Sequence, residues 1–120
     1  MTPHHRIDYI EFGAADLAPV KAFYARVFGW AFTDYGPDYT SFTDARISGG
    51  FTTAAPAGAS PLVVLFSDDL EATRDSVRDA GGVIARDIFS FPGGRRFEFT
   101  DPAGNRLAVW GHDPAPGGQA

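Results

Sequence analysis

Hydrophobic and polar positions follow the same order twice along this chain. An apolar, β-rich run opens each half: IDYIEF at 7–12 and PLVVLF at 61–66. An amphipathic stretch comes next, opened by an Asp-Leu pair and closed by glycine: Asp16-Leu17 to Gly29, then Asp69-Leu70 to Gly82, each end offset by 53 residues. In the first stretch Leu17, Val20, Tyr24, Val27 and Phe28 fall on one helical face. Asp16 is placed to cap it, and Pro19 lies in the first turn, where its missing N–H costs nothing. In the second, Leu70, Thr73, Val77 and Ala80 form the apolar stripe. Asp68 and Glu71 have the spacing of a capping box, and Gly81-Gly82 is a stop.

Alternating sequence follows each helix and reads as strands: 30–35, 38–44 and 46–53, then 83–89, 95–101 and 106–110. Residues 101–105, Asp-Pro-Ala-Gly-Asn, form the turn before the last strand. The expected fold class is α+β, with two tandem βαβββ modules (6–53 and 61–111) in one domain spanning 1–112. Residues 54–60 are the linker, and 113–120 are expected to be a disordered tail. One βαβββ unit cannot bury both faces of its sheet. Two units side by side are expected to make a curved mixed sheet with a concave cleft and helices on the outer face.

Composition narrows the function. The chain has 120 residues, 44% of them apolar and 21% charged, with a net charge of −5. That balance argues against a nucleic-acid-binding surface. The absence of Cys excludes disulfides, thiolate metal sites and cysteine nucleophiles. No apolar run approaches a membrane span, and the MTPHHR start lacks the apolar stretch of a signal peptide, so a soluble, cytoplasmic protein is expected. Eleven Phe, four Tyr and two Trp are enough to fill a core and also line a pocket. His4, His5 and His112 all lie near the ends, the first two in a segment expected to be mobile. No catalytic triad or phosphate-binding glycine motif can be assembled.

The segment IDYIEFGAADLAPVKAFYARVFGW resembles the opening module of the vicinal oxygen chelate superfamily, which includes glyoxalase I, bleomycin-resistance proteins and extradiol dioxygenases. The Asp-Leu pair, Phe23-Tyr24 and Phe28-Gly29-Trp30 match its pattern, and FTDPAGNRLAVW resembles its closing motif. The resemblance covers about residues 6–111. Enzymes of that family hold a divalent metal on inward-facing strand residues. Carried over by position, those places hold Tyr9, Leu62, Ala108 and a residue near Ser48. Such side chains do not make a divalent-metal site, so the resemblance implies a member with no metal ligands and no cofactor.

Alternation places Ile10 and Phe12 under the helix and turns Tyr9 and Glu11 to the cleft. Glu11 is either an acceptor or general base in the cavity or the partner of Arg96 or Arg106. Arg96 has a second reading, as the partner of Glu98. Phe66, Arg96, Ala108 and Trp110 complete the expected ligand-binding set, with Trp110 as a stacking platform or a packing residue between subunits. Trp30 is read as an anchor of the helix-to-strand joint. The expected function is metal-independent binding of a small planar or hydrophobic molecule, a metabolite or antibiotic, in the aromatic cleft of a homodimer. The acidic balance slightly favours a cationic ligand. The alternative is a glyoxalase-like lyase, isomerase or dioxygenase in which Glu11 acts as base or metal ligand and Tyr9 as proton donor. Neither nucleic acid nor membrane is an expected partner.

Overall fold

The computed structural model of the chain describes residues 3–59 and 61–114. The proposed disordered tail falls largely outside them. The elements run β1 (Ile7–Gly13), α1 (Leu17–Phe28), β2 (Ala31–Asp34), β3 (Tyr39–Thr43), β4 (Ser48–Thr52), β5 (Leu62–Phe66), α2 (Leu70–Asp79), β6 (Val83–Phe91), β7 (Gly94–Thr100) and β8 (Arg106–Gly111). This is the βαβββ order twice over, an α+β fold. The chain divides into two compact units. The first is Asp8–Val63; the second joins the residues up to Ile7 to those from Val64 onward.

In the first unit the strands run β2-β3-β4-β1. β1 is parallel to β4, and the other neighbours are antiparallel. The helix α1 covers one face. Ala14, Leu17, Phe42 and Phe51 are buried there, with Phe12, Val20, Tyr24, Trp30 and Phe32 packed around them. Trp30 stacks on Tyr24 at 4.5 Å and on Phe42 at 4.3 Å, so it does anchor the helix-to-strand joint. Asp16 caps α1 by accepting from the Ala18 N–H, and Gly29 ends it at φ 73°, a left-handed conformation that favours glycine. The apolar face of α1 is narrower than its periodicity predicts. Val27 is 54% exposed and Phe28 61%, although the Phe28 ring still lies 6.0 Å from Tyr24 and 6.3 Å from Trp30.

In the second unit the order is β5-β8-β7-β6. Leu70, Phe97 and Val109 form the core beneath α2, with Leu65, Val77, Ile84, Ile88 and Phe99 around them. Of the predicted α2 stripe only Leu70 is fully buried; Thr73 and Val77 are half-buried and Ala80 is exposed. The cap also differs from expectation. Asp69, not Asp68, is the N-cap residue and accepts the Ala72 N–H at 3.1 Å. Asp68 instead meets His4: its N–H donates to Nδ1 at 3.0 Å. Beyond α2, Gly81 at φ 100° makes the turn into β6.

The N-terminal segment is therefore engaged, contrary to the expectation of a mobile end. The His5 N–H donates to the Phe66 carbonyl at 2.7 Å, and the Phe66 N–H donates to the Arg6 carbonyl at 3.1 Å. The His5 ring meets the Thr73 hydroxyl at 2.9 Å. These bonds lay residues 5 and 6 along the end of β5.

The two aspartates before α2 should separate in stability measurements. Asp69→Ala is expected to lower unfolding stability by about 1 kcal/mol, the usual loss of an N-cap. Asp68→Ala removes only the exposed pair of its carboxylate with His4 Nδ1, at 3.0 Å, and should cost roughly half of that or less. Urea denaturation of both variants checks this, and equal losses would contradict the assignment.

Candidate functional site

Strand alternation gives each sheet a second face, opposite its helix. In the first unit Phe12, Phe42 and Phe51 point to α1, so Tyr9 and Glu11 of β1 turn the other way. They share that face with Ser48 and Gly50, their register partners on β4, and with Tyr39 of β3. The Tyr39 hydroxyl donates to Glu11 Oε2 at 2.9 Å and meets the Tyr9 hydroxyl at 2.5 Å. A phenol has one proton, and that of Tyr39 is committed to the carboxylate, so in the second bond Tyr9 donates. Burial, then the Glu11 charge, push the Tyr39 phenol far above its ordinary range, so it stays a neutral donor.

Gly50 makes this arrangement possible. A Cβ there would lie 2.0 Å from the Tyr39 hydroxyl and 2.7 Å from that of Tyr9. Its neighbour Gly49 does the same on the opposite face, where a Cβ would lie 2.4 Å from the Phe42 ring. Tyr39 did not figure in the site inferred from the sequence. The signal available for it was a Gly-Gly pair inside a strand, which marks close approach on both faces.

In the second unit Leu65, Phe97, Phe99 and Val109 face α2. Phe66, Arg96, Ala108 and Trp110 therefore lie on the opposite face, in adjoining strands. Phe66 and Ala108 are buried, and the Trp110 ring stands edge-on to Phe66 at 5.0 Å. Arg96 sits opposite Trp110, and Glu98 opposite Ala108. Glu98 is 8% exposed and accepts from two guanidiniums, Arg106 at 2.6 Å and Arg96 at 2.9 Å. Burial pushes its carboxyl up, but Arg106 and Arg96 together outweigh that and hold it below the ordinary carboxylate range. The reading of Arg96 as the partner of Glu98 therefore holds. Arg95 points the other way and holds Glu71 of α2 at 2.6 Å, so the Gly-Gly-Arg-Arg run is divided between two faces.

β6 adds Arg86, which simple alternation hides, and Phe89. Its pairing with β7 slips between Ile84 and Arg86 and again between Arg86 and Phe89. Each slip turns the following side chains to the other face. Arg86 thus sits opposite Glu98, and Phe89 opposite Arg96. The Arg86 guanidinium lies 3.6 Å from the centre of the Phe89 ring. On the helix side of the same unit, an open groove of about 340 Å³ beside α2 is lined mainly by Leu65, Val77, Phe99 and Val109.

The positions that hold metal in the family's enzymes do not fit one here. Leu62 and Ala108 offer no donor atoms, and the Tyr9 hydroxyl is hydrogen-bonded to another phenol. Among the described residues no three His, Asp or Glu are grouped to hold an ion. Nor, among them, is any helix long and apolar enough to cross a membrane.

Two measurements test these contacts. Gly50→Ala is expected to cost about 1–3 kcal/mol by overpacking. In a Tyr39→Ala background the cost should be clearly smaller, because the displaced hydroxyl is gone; equal costs in both backgrounds would contradict the contact. The depressed Glu98 pKa stabilises the fold above the unfolded value, and that contribution is lost as pH falls through the folded value. The stability gap between wild type and Glu98→Gln should therefore be widest near neutral pH and narrow below about pH 4, in the usual carboxylate range. A gap independent of pH would contradict the shared ion pair.

The glyoxalase/bleomycin resistance protein/dioxygenase superfamily model matches residues 6–109. No curated protein matches the sequence significantly. Solved structures share the fold at low identity. A superfamily member from Vibrio splendidus 12B01 is 16% identical with a TM-score of 0.68, covering 89% of this chain and 98% of that one. Methylmalonyl-CoA epimerase from Mycobacterium tuberculosis is 14% identical at 0.68, covering 90% and 88%. The Mn(II)-bound glyoxalase from Novosphingobium aromaticivorans is 23% identical at 0.67, covering 92% of this chain and 40% of that longer one. With the family model spanning nearly all of it, and with the βαβββ order present twice, this chain belongs to the glyoxalase/bleomycin resistance protein/dioxygenase superfamily.

Proposed function

We propose that this protein binds a small planar or hydrophobic molecule, a metabolite or antibiotic, without a metal, on the sheet faces opposite its helices. The observation that carries the reading is the company kept on the second unit's face: aromatic Trp110 and Phe66 beside the fixed polar group Arg96–Glu98–Arg106. Apolar walls with a few oriented polar groups are the usual make-up of a small-molecule site. Tyr9, Glu11, Phe66, Arg96, Ala108 and Trp110 are the ligand-binding residues of this proposal. Tyr39 joins them because it orients Glu11 and Tyr9. A second copy of the chain is proposed to complete the site in a homodimer.

One observation favours chemistry as a second reading. Glu11 is held by the Tyr39 hydroxyl, which in turn accepts from Tyr9. A positioned carboxylate beside a phenol is suited to moving a proton, as in a lyase or isomerase that works without a metal.

Calorimetric titration with a panel of planar aromatic molecules, with and without a chelator, tests the proposal. Saturable binding that survives the chelator and weakens about tenfold or more in Trp110→Ala is expected, in keeping with the loss of a well-buried aromatic contact. No binding in the panel, or binding only when divalent metal is supplied, would overturn it. Turnover of a bound ligand that is abolished by Glu11→Gln, with binding retained, would establish the second reading instead.

A further inference from the structure

The face of the second unit opposite α2 carries a charge pattern that the composition conceals. The chain as a whole is acidic, at −5. Yet β6, β7 and β8 bring Arg86, Arg96 and Arg106 to one face around the Glu98 carboxylate. The slip in β6 between Ile84 and Arg86 is what places Arg86 there.

The three guanidiniums are presented differently. Arg96 and Arg106 each hold one oxygen of Glu98, which fixes the carboxylate and directs the rest of each fork elsewhere. The Arg106 side chain is 55% exposed, so its remaining N–H groups are open to a ligand. Arg86 is exposed and lies on the Phe89 ring, a contact that orients the guanidinium plane while leaving its N–H edge unspent. Along the neighbouring row, Phe89, Arg96 and Trp110 stand opposite one another on three adjacent strands. An aromatic ring thus lies on either side of the central strand, next to cationic N–H forks.

From this juxtaposition we infer that the site takes an anionic planar ligand, an aromatic molecule bearing a carboxylate or an equivalent oxyanion. Arg86 and Arg106 bind the anionic group and Trp110 or Phe89 takes the ring. The inference rests on the proposed small-molecule binding and reverses the preference for a cation that net charge suggests. Guanidinium forks match the two oxygens of a carboxylate, and a hydrogen bond between charged groups is stronger than one between neutral groups. A cationic ring would meet like charge at the same place.

Three probes with one ring system separate the outcomes: 2-naphthoate, the neutral 2-naphthamide and the 2-naphthylmethylammonium cation, titrated calorimetrically into the full chain. Naphthoate is expected to bind roughly tenfold more tightly than the amide, the size of one charged hydrogen bond. The cation should bind more weakly than both. Arg86→Gln and Arg106→Gln should each remove most of that preference while leaving amide binding in place, and Arg86→Lys should keep part of it. Added salt should weaken naphthoate alone. If the amide or the cation binds as well as naphthoate, or if neither Gln variant lowers naphthoate affinity, the anion assignment fails and the proposed function stands. If none of the three binds, both fail.

Discussion

Each sheet in this protein has its helix on one face only, and strand alternation then sorts the side chains without exception along a straight strand. Residues facing α1 or α2 become core: Phe42 and Phe51 in the first unit, Phe97 and Val109 in the second. Their sequence neighbours are left for the other face. Tyr9 and Glu11 flank Ile10; Arg96 and Glu98 flank Phe97; Ala108 and Trp110 flank Val109. The chemistry of the site is set by which residues occupy the positions the core does not use.

Two local departures decide what that second face can hold. In β4 the Gly49-Gly50 pair makes room on both sides at once, for Phe42 in the core and for the Tyr39–Tyr9 phenols opposite. Without that room the Tyr39 hydroxyl could not lie between Glu11 and Tyr9 at hydrogen-bond distance. In β6 the slip between Ile84 and Arg86 turns Arg86 away from α2, and the second slip restores the phase, so that Ile88 packs on the core and Phe89 faces away. A regular strand would have put Arg86 on the same face as Ile84, against the apolar core. Irregularity in a strand costs ladder hydrogen bonds, and here it places a cation beside Glu98.

Much of the fold was legible in the sequence because it rests on strong, local signals. The repeated Asp-Leu starts, the glycine stops and the period-2 runs located all ten elements, and the family resemblance agrees with the family model. The site was legible where alternation is regular: Tyr9, Glu11, Arg96, Ala108 and Trp110 lie on the faces expected of them. It was not legible at Arg86, where β6 departs from regular pairing, nor at Tyr39, whose place depends on the room that Gly50 leaves on the next strand, nor at Phe89, which is marked only by its contact with the Arg86 guanidinium. The helix cap was placed one residue early because two adjacent aspartates offer the same chemistry, and only their partners in the fold, the Ala72 N–H for Asp69 and His4 for Asp68, separate them. The exposure of Val27 and Phe28 was hidden for a related reason: helical periodicity shows which face is apolar but not how much of it is covered.

The central claim is that the faces opposite the helices are the working surfaces of the molecule. Amide chemical-shift mapping during titration with 2-naphthoate tests it most directly. The account expects shifts in β7 and β8 around Arg96, Glu98 and Trp110, and in β6 at Arg86 and Phe89, with α1 and α2 largely unmoved. Shifts confined to the exposed Phe23, Val27 and Phe28 of α1, or to the groove beside α2, would contradict it.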